Sequence, residues 1–345
     1  MVLILAVAWV AGCRTASDAP SSPADDGTTR IPLAQIATSD SIQTYTPTLD
    51  GPLRVLSATP RGAHRTMPAR PPIAVTFSRP VVPLGDAPPP PDSALTLSPR
   101  VAGSYRWEGT QTLVFTPSED LPPATSFAAT LHPVVSDTDG ETLADPYRWT
   151  FETPRPRVVS SEPADGARFG DPEADVRVRF NLPVQAADVR AFYTTRNCSV
   201  AGVAQAGDST LVFKRARPTP QGEVCTLRLL DGLPTSAGPL TMAEPQEIRF
   251  RVRPELEIVD IGQSGYRPRG ARLEPGKGLR LTFSTPVRFG DLRRAITIDP
   301  SVEWPAGIDA QDANESRSHT LPIRLAPETD YRIGFTNLTD IFGQT

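Results

Sequence analysis

Three segments of this chain follow one pattern, and that pattern leaves few folds open. They are Ile73-Ala-Val-Thr-Phe-Ser-Arg-Pro-Val81, Val176-Arg-Val-Arg-Phe-Asn-Leu-Pro-Val184 and Leu279-Arg-Leu-Thr-Phe-Ser-Thr-Pro-Val287. Each sets three large apolar residues at i, i+2 and i+4, with Arg, Thr or Ala between them. A period of two belongs to a strand with one buried face. A Pro-Val step then ends ladder pairing and turns the chain. The closing valines lie 103 residues apart both times, so the unit is a repeat.

Other segments recur in step. Thr112-Leu-Val-Phe-Thr-Pro117 matches Thr210-Leu-Val-Phe213 and Thr320-Leu-Pro-Ile-Arg-Leu325. Phe127-Ala-Ala-Thr-Leu131, Cys225-Thr-Leu-Arg-Leu229 and Tyr331-Arg-Ile-Gly-Phe335 alternate in the same way. Asp137-Thr-Asp-Gly140 and Asp340-Ile-Phe-Gly343 read as hairpin-type turns whose glycines take positive φ. Tyr147–Thr153 and Glu247–Val252 close the first two repeats, and the third shows no such strand.

The 39 prolines support this reading, because proline at that density marks strand starts, edges and turns rather than helix interiors. No stretch of ten or more residues carries a helical apolar period. The expected fold is all-β: three tandem immunoglobulin-like β-sandwiches, each with about seven short strands in ~100 residues. The predicted domains are 51–154, 155–253 and 254–345, the third incomplete for want of its last strand. A sandwich without that strand exposes a sheet edge, which predicts the front piece of a longer polypeptide or a truncated gene product. The linkers Thr153-Pro-Arg-Pro156 and Val252-Arg-Pro254 are short and proline-stiffened, so limited bending is expected.

Ahead of the repeats, residues 1–12 form an apolar run too short to span a bilayer, which needs ~20 residues. It ends in Val10-Ala-Gly-Cys13, which resembles a bacterial lipobox. The expectation is a lipoprotein signal peptide at 1–12 and a lipidated Cys13. No Lys or Arg precedes the apolar run, and a buried strand or a signal cleaved without lipid are the plainer alternatives. Residues 13–50 are rich in Ser, Thr, Asp, Ala and Pro and read as a flexible tether. Arg14 directly after the cysteine suggests the outer membrane, with the inner membrane as the alternative. The periplasm is the expected compartment.

Cys198 and Cys225 are the two remaining cysteines, and an exported chain usually oxidises such a pair. A disulfide between them is expected; a redox or metal role is the rival, with the wrong spacing and no nearby His. The formal charge of -4 with dispersed basic residues argues against a nucleic-acid partner.

Tyr105–Phe127, together with Trp149-Thr-Phe-Glu-Thr-Pro154 and Val158-Val-Ser-Ser-Glu-Pro163, resembles the early segment of bacterial alpha-2-macroglobulins. The likeness covers roughly residues 50–345. Stand-alone bacterial Ig-like modules of the S-layer type share the same openings and Phe-Ser-x-Pro-Val strands. The alpha-2-macroglobulin resemblance implies a periplasmic lipoprotein that traps proteases through a bait region and an internal thioester. This sequence departs from that pattern: Cys198 precedes Ser-Val-Ala and Cys225 precedes Thr-Leu-Arg, so no Cys-x-Glu-Gln thioester exists here. The resemblance therefore implies a non-enzymatic stalk whose protease partners would engage domains missing from this piece. The alternative is a cell-envelope lipoprotein of Ig-like modules with a spacer or adhesive role.

Chemistry-bearing motifs are sparse. No catalytic residue, metal ligand or cofactor is assigned. His64, His132 and His319 fall one to each repeat and are expected in solvated loops or at strand ends. Gly262-Gln-Ser264-Gly265 lacks the last glycine of a nucleophile elbow, Tyr266 standing there. Asp137, Asp139 and Glu141 suit Ca²⁺ or, more simply, a side-chain-stabilised turn. Asn197 and Asn337 begin glycosylation sequons that arise often by chance. Trp107, Trp149 and Trp304 read as core aromatics.

Overall fold

A computed structural model describes residues 3–5, 51–85, 90–263 and 278–345. Cys13 and the tether lie outside the described residues. The first element, β1 (Leu3–Leu5), is considered with the third domain below.

The first domain comprises β2 (Val55–Thr59), β3 (Gly62–Ala63), β4 (Ile73–Phe77), β5 (Leu95–Ser98), β6 (Gly103–Glu108), β7 (Thr112–Pro117), β8 (Ser126–Leu131) and β9 (Tyr147–Glu152). They form two four-stranded sheets, ordered β2-β4-β7-β6 and β3-β9-β8-β5. Only the β3–β9 pair is parallel. Ile73, Val75 and Phe77 are each 0 % exposed and point between the sheets toward Phe127, Leu131 and Phe151. The alternation seen in the sequence is this burial. Each such side chain contributes about 1.5–3 kcal/mol by leaving water.

The second domain repeats the plan with β10 (Val158–Glu162), β11 (Val176–Phe180), the short helix α1 (Ala186–Val189), β12 (Tyr193–Arg196), β13 (Val200–Gly207), β14 (Thr210–Arg215), β15 (Val224–Leu229) and β16 (Gln246–Arg251). Its sheets are β10-β11-β14-β13 and β12-β15-β16. A parallel bridge between Gly170 and Val252 stands in for β3. Cys198 and Cys225 are joined with Cα atoms 5.2 Å apart, tying the turn after β12 to β15.

The third domain contains β17 (Ile258–Gln263), β18 (Leu279–Arg288), the helix α2 (Phe289–Ala295), β19 (Ile296–Asp299), β20 (Glu315–Leu321) and β21 (Tyr331–Phe335). One sheet is β17-β18-β20 and the other is β1-β21-β19. β1 runs antiparallel to β21, with Leu3 opposite Ile333 and Leu5 opposite Tyr331. It therefore lies where β9 and β16 lie in the other domains.

Two expectations need correction here. The segment paired with β18 enters two residues earlier than the matched letters imply. Leu321, not Ile323, faces Leu279, as Phe115 faces Ile73, and His319 takes the place of Leu113. A shift of two keeps every side chain on its face, so the pattern alone does not resolve it. His319 is consequently 6 % exposed rather than in a solvated loop. Its Nε2 sits 2.7 Å from the Val287 carbonyl, and its ring lies 5.6 Å from Phe289. His64 and His132 are half-buried, and His132 Nε2 lies 3.0 Å from Thr96 Oγ1 just past β8.

Each first strand carries a bulge at the same place. Val55 pairs with Phe77 and Ser57 with Thr76, leaving Leu56 extra; Val159 and Val259 are extra in the same manner. These three apolar residues are 60 %, 44 % and 59 % exposed.

Candidate functional site

The Phe-Ser/Asn-x-Pro-Val motif builds the domain ends residue by residue. Phe77, Phe180 and Phe283 fill the cores, as do Val81, Val184 and Val287. The residue after the Phe catches the incoming linker. Ser78 Oγ accepts the Arg54 N–H at 3.1 Å, Asn181 Oδ1 accepts Arg157 N–H at 2.7 Å, and Ser284 Oγ accepts Glu257 N–H at 2.8 Å. Asn181 also donates through Nδ2 to the Arg155 carbonyl at 2.9 Å.

The proline carbonyl holds the long loop that precedes each domain's last strand position. Thr138, Ser236 and Ile341 donate their N–H groups to the carbonyls of Pro80, Pro183 and Pro286 at 3.1, 3.3 and 3.1 Å. A buried polar residue just before each of them shapes the loop: Asp137, Thr235 and Asp340 are 5 %, 8 % and 4 % exposed. Asp137 Oδ1 accepts from Asp139 and Glu141 N–H, and Asp340 Oδ1 accepts from Phe342 and Gln344 N–H. Gly140 at φ 86° and Gly343 at φ 82° close both turns, a conformation that costs glycine little. Proline has no N–H of its own to satisfy, and it follows the strand end in the first two domains. The expected end of pairing fails in the third, where β18 runs on past Pro286 and sets Val287 opposite Ser316 and Arg288 opposite Glu315.

The loops of the second and third domains reach back onto the domain before. Leu240 N–H donates to Ala124 O at 2.7 Å, and Arg155 Nη1 donates to Thr241 O at 3.2 Å. At the next junction Phe342 packs 5.7 Å from Phe169, with the Arg253 guanidinium 5.5 Å over the Phe342 ring. The linker at the first junction is also clamped by charge. Arg155 holds both Glu152 oxygens at 2.8 and 2.9 Å, and this hydrogen bonding pulls the Glu152 carboxyl below its usual range. In the first domain's loop, Arg79 Nη1 lies 2.9 Å from both Asp137 Oδ2 and Glu141 Oε2. Its hydrogen bond lowers the Asp137 pKa. The carboxylates considered for Ca²⁺ are thus engaged with a guanidinium and with backbone N–H groups.

Other motifs have structural explanations. Asn197 and Asn337 take φ of 58° and 52°, where Asn is tolerated best after Gly. Trp149 is buried and donates to Pro60 O at 3.0 Å, while Trp107 and Trp304 pack partly buried on their cores. Ser264 and Gly265 lie outside the described residues. Among the described residues no helix is long and apolar enough to cross a membrane.

The role of Ser78, Asn181 and Ser284 was not visible from periodicity. The signal was there, in a small hydrogen-bonding residue between the core Phe and the Pro-Val step in all three repeats.

Comparison with solved structures gives distant likenesses. The N-terminal part of the bacterial S-layer protein SbsC is 11 % identical, over 58 % of this chain and 44 % of that one, with a TM-score of 0.23. The chain thus spans less than half of that structure. Native alpha-2-macroglobulin from Escherichia coli spanning domains MG0-NIE-MG1 is 12 % identical over 83 % and 98 %, with a TM-score of 0.23. L,D-transpeptidase 3 from Mycobacterium tuberculosis is 15 % identical over 66 % and 77 %, with a TM-score of 0.20. No curated protein matches. The bacterial Ig-like domain family matches residues 50–153 and again 152–252, which together cover the first two sandwiches. On that match, over more than half of its length, the chain belongs to the family of bacterial Ig-like domains.

Proposed function

We propose that this chain is a non-enzymatic, lipid-tethered spacer, the stalk of an alpha-2-macroglobulin-like protease trap in the bacterial periplasm. The observation that carries the spacer role is the double clamp at each junction. One side chain fixes the linker, and one loop reaches back onto the preceding module, by hydrogen bonds at the first junction and by ring packing at the second. A row of sandwiches held this way transmits position without doing chemistry. The trap assignment draws on the alpha-2-macroglobulin-like letters at Tyr105–Phe127 and Trp149–Pro163. The membrane assignment draws on Val10-Ala-Gly-Cys13 and the polar stretch that follows it. Cleavage before Cys13 would withdraw β1 from the β21 edge.

The second reading, a cell-envelope spacer or adhesive lipoprotein with no protease target, is favoured by the family match, since Ig-like modules serve many activities. Two experiments separate these. Metabolic labelling with an alkyne fatty acid is expected to mark the expressed protein and to fail in Cys13→Ala; equal labelling of both removes the tether. The full gene product, incubated with a broad-specificity protease, is expected to form a covalent adduct that prior methylamine treatment abolishes. A gene without a downstream Cys-x-Glu-Gln segment, and a product forming no adduct, would leave the envelope spacer.

A further inference from the structure

The two junctions are built alike but charged differently. At the first, a crevice of about 160 Å³ is lined by His64, Arg65, Arg155 and Arg157 together with Glu152 and Glu244. Its basic and acidic groups are both present, and Arg155 is already spent on Glu152 in a two-pronged bond. At the second, the matching positions change character. Arg168 follows Ala167 as His64 follows Ala63, Phe169 stands for Arg65 and Arg251 for Glu152. Glu255, whose carbonyl Ser284 meets as Asn181 meets that of Arg155, takes the place of Arg155.

The resulting crevice of about 350 Å³ is lined by Arg168, Phe169, Arg251 and Pro254 from one side and Val259, Ser284 and Arg317 from the other. Among the described residues it is lined by three guanidinium groups and no carboxylate. Two of the three are held in place by backbone: Arg251 Nη1 donates to Gly222 O at 2.6 Å and Arg317 Nε to Phe283 O at 3.1 Å. Among the described residues these are the side-chain hydrogen bonds that Arg251 and Arg317 make, so their other N–H groups can face a ligand. Arg253 beside the crevice is committed instead to Asp171 at 3.3 Å and to the Phe342 ring. The volume lies at the lower end of the ~300–1,000 Å³ range of small-ligand sites.

We infer that the crevice between the second and third domains binds an anionic ligand with an apolar portion, two or more carboxylates or phosphates meeting Arg168, Arg251 and Arg317 while Phe169 and Val259 receive the apolar part. Guanidinium groups suit this role because they meet carboxylate and phosphate oxygens through two parallel N–H bonds. Because Arg251 and Arg317 belong to different domains, the bound anion bridges them and stiffens the junction.

The test uses the whole chain and two defined probes, tripolyphosphate and the blocked peptide Glu-Phe-Glu, titrated by calorimetry at low and at moderate salt. Saturable one-to-one binding is expected for at least one probe. Affinity should fall about tenfold or more in R251E/R317E and fall steeply with salt, as exposed charges are screened beyond ~10 Å at 0.1 M. Binding of the peptide but not tripolyphosphate identifies a carboxylate source with an apolar anchor; the reverse identifies a phosphate. A control with equal charge change at two exposed arginines, R148E/R190E, is expected to retain binding. Because R251E/R317E also gives up two side-chain bonds to backbone carbonyls, its melting temperature is measured alongside and binding is compared well below it. No saturation with either probe, or equal loss in the control pair, overturns the proposal.

Discussion

The backbone N–H of Leu240 donates to the carbonyl oxygen of Ala124 at 2.7 Å, so the second domain's long loop is bonded to the first domain's backbone. Two residues earlier, Gly238 sits so close that a Cβ there would lie 2.1 Å from Pro123 O and 2.9 Å from Ala124 O. Both obstacles are main chain and have no rotamer to yield. Gly238→Ala is therefore expected to lift the loop off the first domain at a cost of about 1–3 kcal/mol. Limited trypsinolysis should then cut faster after Arg157, while the second domain's own unfolding stays put. An unaltered digestion rate would show that the loop is not the clamp.

Replacing the linker catch tests the motif itself. Asn181→Ala strips the Arg157 N–H of its acceptor and the Arg155 carbonyl of its donor. Loss of about 1–3 kcal/mol is expected. Ser78→Ala should cost less, because its hydroxyl serves one linker N–H, whereas Ser284 both accepts the Glu257 N–H and donates to the Glu255 carbonyl. Denaturant unfolding of each variant provides the comparison; a larger loss in Ser78→Ala contradicts the assignment.

Much of this architecture was legible in the letters, and the reasons for the rest are physical. The inward set Ile73, Val75, Phe77 and its two copies announced the strands because alternation is burial on one face. The slip at Leu321 was invisible because displacement by two residues leaves that alternation intact. His319 could not be placed from its neighbours, since its burial depends on the Val287 carbonyl brought alongside by pairing. The linker catches were hidden for another reason: one hydrogen bond to a backbone atom 24 to 27 residues away leaves no periodic trace.

Reduction provides a domain-specific prediction. The Cys198–Cys225 bond closes a loop with a sequence separation of 27, for which chain entropy gives about 3–4 kcal/mol. Under reducing conditions, or in C198S/C225S, the second domain alone should melt earlier. Calorimetry showing all three domains shifted together, or none, would contradict this.

Acid should destabilise the chain through three lowered carboxyls, of which Glu152 lies at the first junction. Glu152 is lowered first by its hydrogen bond from Arg155, Asp137 by that from Arg79, and Asp175 by that from Lys214. A carboxyl lowered in the folded state takes up its proton more readily when unfolded. Its contribution is complete above the unfolded value of about 4 and is lost as pH falls toward the folded one. The melting temperature should be level above about pH 5.5 and decline below about pH 4. Glu152→Gln is expected to flatten part of that acid limb, and a melting curve unchanged down to pH 3 would refute the linkage.

The bulged residues Leu56, Val159 and Val259 bear on how such a chain stays dissolved. Each lies on a strand at the rim of its sheet, β2, β10 or β17. Tandem copies of one sandwich, tethered at high local concentration, risk zipping their rims together into an aggregate. An extra residue breaks the even spacing of free N–H and carbonyl groups and twists the rim away from a flat neighbour. The same irregularity, written three times, lets modules of one fold stand in a row without pairing rim to rim.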